Sequence, residues 1–432
     1  MHRLLLALLL LGGCAAGPGV PEDSSPTFTL AVIPDTQNYI DYTHQQAEGF
    51  ALDAGDLFIA QMRDIAARDE VVFVAAVGDV WQHASLVMDA EHAARGLELI
   101  PNPYFASALA PTPKTLELEL PKAVEGYEIL HNAGIPFGVA PGNHDYDAAW
   151  SAAGYPPNLD KNPAELTMTP EDLGIMHIGG LDNFRSVFGD DSRFFKDKDW
   201  YVGSYRGGAN AAQLFEAGGY RFLHITLEMA ADDDALRWAS AVIEGNPGIP
   251  TIITTHDYLN TRGERAANPL VDLKRIDPDH HNTAEETWDK LINAYDQIFM
   301  VLCGHHHGQA RRIDTNRYGH KVYQILADYQ SRGQAGLDAG ESHDPQRGKP
   351  TGIGDGWYRL MNFDMSGETP TVSVQTWSSH YRSFSGDLET YADWYRKYEQ
   401  PQMNDREFLA ADEFKLVLDD FRERFGPPAW TR

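Results

Sequence analysis

Cysteine is nearly missing from this 432-residue chain: only Cys14 and Cys303 occur. Thiolate zinc clusters are therefore excluded, and once Cys14 is modified or removed no intramolecular disulfide can form. Cys303 closes the apolar run 298–302 and reads as a buried structural thiol. Membrane-length hydrophobic runs are missing too. The apolar stretch at 4–11 is eight residues long, far short of the roughly 20 that span a bilayer. Basic residues are scarce, with 35 Lys and Arg against 63 Asp and Glu and a formal net charge of -28. That balance argues against nucleic acid or anionic lipid surfaces as partners. It leaves anionic small molecules open, because bound cations can reverse the sign of the field inside a cleft. Hydrophobic residues make up 43% of the chain, enough for a large buried core.

Met1-His2-Arg3 followed by the apolar run fits the start of a secretory signal peptide. Leu11-Gly12-Gly13-Cys14-Ala15 resembles a bacterial lipobox. Residues 1–13 are thus expected to be a signal peptide, Cys14 the lipidated first residue, and 14–26 a tether. The expected location is exported and membrane-anchored, in the periplasm or at the cell surface. The plainer alternative is a signal peptide cut near Ala16 and a secreted product.

Short apolar runs at 28–33, 71–77, 220–227, 249–254 and 298–302 read as buried strands. Segments 56–68, 121–132, 232–243 and 284–295 have helical patterning, and Gly134 punctuates the second of them. Asp232-Asp233-Asp234 reads as a helix cap. Alternation of strands and helices predicts an α/β sheet with its functional groups at strand carboxyl ends. Two insertions, 83–120 and 146–210, are rich in Pro, Gly, Asn and aromatics and read as ordered rims or lids. The main domain is expected over 27–378. Residues 379–432 are expected to form a helical extension, with helices over 388–398 and 405–425, packed on the core.

Five apolar runs end in residues able to bind metal. The first ends in Asp35-Thr36-Gln37 and the second in Gly78-Asp79. A run from Ile135 ends in Gly142-Asn143-His144-Asp145, another in His256, and the last in Gly304-His305-His306-His307. Each alone has a bland reading as a turn, a cap or a satisfied polar side chain. Together they supply an ordered series of oxygen and nitrogen donors at five sheet edges, which independent turns would not be expected to produce.

With this series the chain resembles the calcineurin-like metallophosphoesterase superfamily, from about Phe28 to Trp377. Its hallmark blocks are D-x-H, G-D, G-N-H-D/E, a strand-end H and G-H-x-H. The resemblance implies two packed mixed β-sheets flanked by helices, two divalent metal ions (Mn, Fe or Zn), and a small phosphate ester as substrate. Carried over by position, Asp35, Gln37, Asp79 and His307 would serve one metal. Asp79 would bridge to the second, completed by Asn143, His256 and His305, with His306 as a spacer. Gln37 stands where the family usually has His, and Gln82 where many relatives have Asp or Asn. An amide oxygen is a harder, weaker ligand than imidazole and shifts preference toward Mn or Fe. His144 is implied as the group facing the leaving oxygen, and Asp145 as its orienter.

The function so implied is metal-dependent hydrolysis of phosphate esters by a bridging hydroxide, as phosphomonoesterase or phosphodiesterase. The alternative of another class is a surface lipoprotein that binds a metal or ligand without turnover. Other residues carry less. Asp277-Pro278-Asp279-His280-His281 reads as a solvated loop, with an accessory metal site as its alternative. Tyr205, Arg206, Tyr258, Arg262, Tyr329 and Trp357 are candidates for a substrate pocket or for ordinary packing.

Overall fold

The structure is a computed structural model that describes residues 25–431, apart from 101, 106–109, 163–164 and 346–347. The expected signal peptide, the expected lipidation site Cys14 and most of the expected tether lie outside the described residues. No helix among the described residues is long and apolar enough to cross a membrane.

The chain forms a mixed α/β fold with several sheets flanked by helices. The first seven-stranded sheet contains β1 (Thr27–Ile33), β2 (Val71–Ala76), β4 (Phe137–Val139), β14 (Trp357–Asp364), β15 (Thr371–Ser378), β16 (Ser383–Phe384) and β17 (Phe414–Val417). The second contains β7 (Tyr201–Tyr205), β8 (Asn210–Ala217), β9 (Tyr220–Thr226), β10 (Thr251–Thr254), β11 (Ile298–Cys303), β12 (Gly308–Thr315) and β13 (Lys321–Asp328). A three-stranded sheet, β3 (Leu99–Ile100), β5 (Ala148–Ala152) and β6 (Met176–Gly179), is built from the two insertions.

Both faces of the central strands are covered, which explains why their sequences are continuously apolar rather than alternating. Along β1, Phe28, Leu30 and Val32 face a core shared with Phe222, Phe299 and Ile325 of the second sheet. Ala31 and Ile33 face the other way, toward Phe58, Met62, Tyr127 and Leu130 of the helices Ala54–Ala66 and Leu120–Asn132. The outer face of the second sheet is covered by Leu236, Ala239 and Ile243 of the helix Asp233–Gly245, together with Leu291. Asp232 caps that helix, accepting from the Ala235 N–H. Cys303 is buried and free.

Within each large sheet the strands that matter run parallel. β1, β2 and β4 are parallel neighbours in one. β10, β11 and β13 are parallel neighbours in the other. Their carboxyl ends therefore gather at one edge, where the two sheets meet.

The carboxyl-terminal extension departs from the expected pair of helices. The first forms as Tyr391–Glu399, but the second stops at Asp412. Phe414–Val417 is instead a strand, antiparallel to β15 with Thr371 opposite Val417, and a short helix Phe421–Phe425 follows. Leu416 is buried while Lys415 and Val417 are exposed, an alternation of period two hidden in a segment dense in helix formers. Pairing with the exposed flank of β15 overrides the local propensity.

Candidate metal centre

Each of the five strand-end motifs arrives at the same place. Asp35, Asp79, Asn143, His256 and His305 are all buried, and one donor atom each of Asp79, His256 and His305 lies within 4.8 Å of the others. His256 shows why the cluster is unusual. Its Nδ1 donates to the Val77 carbonyl at 2.9 Å, which leaves the Nε2 lone pair for the interior. That Nε2 faces Asp79 Oδ1 at 3.2 Å, Asn143 Oδ1 at 3.2 Å, His305 Nδ1 at 3.1 Å and Asp35 Oδ1 at 3.7 Å. Acceptors converge on an acceptor, which is stable only if a proton or a cation sits among them.

Further orphaned atoms repeat the theme. Asp35 Oδ2 and His305 Nε2 are buried without a hydrogen-bond partner. The field has the matching sign. Burial works against a charged His256, yet Asp79 and Asp35 prevail and hold its imidazole up to about 10. Asp79 is depressed against its own burial by His256 and His144. His305 is pushed down to about 3 by burial. Among the described residues, the ion-pair partners of Asp35 and Asp79 are imidazoles alone. A set of carboxylate, amide and imidazole donors with unspent lone pairs fits divalent cations of the Mn, Fe and Zn type.

The backbone is shaped to bring these groups close. Asp79 and His305 adopt positive φ, 52° and 71°, a left-handed conformation costing a non-glycine residue about 1–2 kcal/mol. Two glycines make room. A Cβ on Gly304 would lie 2.3 Å from Asp35 Oδ2, and one on Gly142 would lie 2.2 Å from Asp79 Oδ1.

The remaining expected residues divide. His144 Nδ1 lies 2.7 Å from the Gln82 carbonyl, which fixes the ring and leaves Nε2 3.9 Å from Asp79 Oδ2. His306 Nε2 lies 3.0 Å from Asp257 Oδ1. His307 is exposed at the mouth, against the Ser331 hydroxyl, outside the tight cluster. Gln37 is fully buried but turns its Nε2 toward Asp79 Oδ2, at 3.0 Å, and toward Gln330 Oε1, leaving its own Oε1 unpartnered. In this orientation Gln37 supports Asp79 rather than offering an oxygen to a metal.

Asp145 does not orient His144. Its two oxygens accept from the backbone N–H groups of Val80 and Gly142, each at 2.8 Å. The three residues Asn143–Asp145 form a single 3-10 turn, where sequence neighbours point apart. Asp145 instead locks the loops after β2 and β4 together.

Two residues escaped the sequence reading. Asp328 ends β13 and accepts from Gln330 N and Nε2 at 3.0 and 3.1 Å, so an amide chain links Asp328 to Asp79 through Gln330 and Gln37. The signal was there, since β13 is another apolar run closing in an aspartate. Of the other candidates, Tyr258, Tyr329 and Trp357 are buried, and Arg262 pairs with Glu264. Arg206 is held by Glu228 and Asp232.

The cluster floors a cleft of about 560 Å³ lined by Asp79, Asn143, His144, His305, His307 and Gln330, among others. No family model matches the chain. It is 25% identical over 299 residues to the uncharacterized protein YvnB of Bacillus subtilis (strain 168), an overlap of 67% of this chain. The chain spans only 17% of the length of that relative, whose name assigns no activity.

Proposed function

We propose that this protein is a metal-dependent phosphoester hydrolase of the calcineurin-like type, with a dinuclear centre built on Asp79. The observation that carries the reading is the convergence of carboxylate, amide and imidazole ligand atoms around His256 Nε2, beside the partnerless Asp35 Oδ2 and His305 Nε2, at the floor of an open cleft. Asp79, Asn143, His256 and His305 would hold one cation, and Asp35 with Asp79 another. Bound there, divalent cations supply Lewis-acid activation of water and neutralise charge on the phosphoryl oxygens.

The chain's own groups do the rest. His144, anchored through Nδ1 on the Gln82 carbonyl, presents Nε2 beside Asp79 and can hand a proton to the departing ester oxygen. Gln37 steadies Asp79. Phe105 and Met176 line both this cleft and an adjoining apolar cavity of about 580 Å³, bordered by Leu99, Ile100 and Trp150. That wall suits an ester whose leaving group is apolar.

The test uses p-nitrophenyl phosphate and bis-p-nitrophenyl phosphate with added Mn²⁺. Turnover should require metal, fall about 10²–10³-fold in His144→Ala with metal content unchanged, and vanish in Asp79→Asn. A folded, metal-loaded protein inert toward both esters would overturn the reading for simple esters and favour a non-catalytic metal-binding role.

A further inference from the structure

A second cluster lies away from the cleft floor, where the two insertions meet the 277–281 loop. His92, His177 and Asp277 are all buried, at 9%, 3% and 7% exposure, and one donor atom of each lies within 4.8 Å of the others. His92 comes from the first insertion, on the short helix Ala90–Ala94. His177 comes from the second, on β6.

Both imidazoles are prepared in the way metal-binding histidines are. His177 Nδ1 lies 2.9 Å from the Ile178 carbonyl, so Nε2 keeps its lone pair. That Nε2 is buried, has no hydrogen-bond partner, and lies 3.8 Å from Asp277 Oδ2. His92 Nδ1 lies 2.7 Å from Asp89 Oδ2, which leaves its Nε2 as the nitrogen free to bind. The two rings sit 4.6 Å apart at 74°, and Trp150 stacks on His177 at 4.8 Å. Space for the Asp89–His92 pair depends on Gly179, where a Cβ would fall 2.0 Å from Asp89 Oδ2.

We infer that His92, His177 and Asp277 form an accessory site for a zinc-class divalent cation. Two imidazole nitrogens and one carboxylate oxygen are a borderline donor set that selects zinc-class ions over magnesium or calcium. Tetrahedral ligands at 2.0–2.1 Å stand about 3.4 Å apart, so the 3.8 Å gap between His177 and Asp277 needs little closure. Arg95 donates to Asp277 Oδ2 at 2.5 Å and competes for the same oxygen, while His280 Nδ1 lies 2.9 Å from Oδ1. The ion would join three segments that no disulfide can join, since the described residues hold a single cysteine. This site is independent of the hydrolase reading.

The test strips the full chain with a chelator and titrates it with Zn²⁺. His177→Gln and His92→Gln should each bind one zinc fewer per chain than the parent by elemental analysis. Asp89→Asn should weaken that zinc about 10–100-fold, and Arg95→Gln should tighten it. In the unmodified chain, Zn²⁺ should slow amide hydrogen exchange in 90–95, 176–179 and 277–281. Equal stoichiometry and affinity in the histidine variants, or unchanged exchange in those segments at zinc saturation, would overturn the assignment. The exchange measurement decides the matter even if the variants fail to fold.

Discussion

Two buried charged regions share one short loop and solve the same problem in opposite ways. Asp328 and Gln330 face the candidate metal centre, while Tyr329 and Arg332 face a network formed with the carboxyl-terminal extension. In that network Arg332 pairs with Glu399 at 3.0 Å and Arg359 with Asp412 at 3.0 Å. Tyr329 and Tyr391 add hydroxyls to Asp412, and Arg359 reaches the Leu326 carbonyl at 2.9 Å. Two guanidiniums meet two carboxylates, and a single N–H, Arg359 Nε, is left over. The candidate metal centre sets the carboxylates of Asp35, Asp79 and Asp328 against one another, with imidazoles alone to pair the first two, and turns imidazole toward imidazole. Charge balanced internally marks a region that holds the fold. Charge left unbalanced at comparable burial marks one that awaits a ligand.

The sharpest contrast should come from cutting the balanced region. Asp412→Ala leaves Arg359 uncompensated in the interior and should cost about 3–5 kcal/mol of unfolding free energy, with or without metal. Urea denaturation measures it, and a loss below about 1 kcal/mol would show the network to be dispensable. Asp35→Asn should behave in the reverse sense. The stripped variant should keep the parent's stability within about 1 kcal/mol, because it loses a carboxylate that burial and Asp328 already disfavour. The parent at about 1,000 times its metal dissociation constant gains about 4 kcal/mol, and the variant should lose most of that gain.

Protons should stand in for the cation when it is removed. Burial and Asp79 push the Asp145 carboxyl up to about 8, and burial pushes Asp328 up to about 6. Between pH 4 and 8 the folded, stripped chain therefore holds protons that the unfolded chain has released, and stability falls as pH rises. His256, held up to about 10 because Asp79 and Asp35 outweigh its burial, extends the same fall above pH 6.5. Buried neutral imidazoles such as His224, pushed down to about 3 by burial, act in the opposite sense below pH 6.5. They do so with or without metal, so the gap between metal-saturated and stripped stability should widen from pH 5 to 8. A gap that narrows would place the cation away from these carboxylates.

Much of this was legible in the sequence because parallel strands place their carboxyl ends together. An apolar run closing in Asp or His therefore predicts both a strand and a residue at the shared edge, as at Asp35, Asp79, His256 and His305. What stayed hidden depended on tertiary partners. Nothing local distinguishes Asp145 bonding two backbone amides from Asp145 bonding its neighbour His144. Nothing in 413–418 announces that β15 has an open flank. Asp412 and Glu399 look like surface acids until Arg359 and Arg332 are placed beneath them.

Gln37 is where the two kinds of chemistry meet, and it gives the smallest but finest test. Its Nε2 is satisfied, as network groups are, by Asp79 and Gln330, while its Oε1 is orphaned, as centre groups are. Gln37→His exchanges one set of bonds for another. Losing a hydrogen bond to Asp79 costs about 1 kcal/mol, so the stripped variant should be slightly less stable than the parent. An imidazole nitrogen in place of an amide should raise affinity for the first metal about tenfold, or about 1.4 kcal/mol, and more for Zn²⁺ than for Mn²⁺. Competitive titration of Zn²⁺ against Mn²⁺ reads that ratio directly. If stability drops and affinity does not rise, Gln37 belongs to the supporting side of the centre, a fixed donor to Asp79. If affinity rises and stability holds, its amide turns its oxygen to the cation when one is bound.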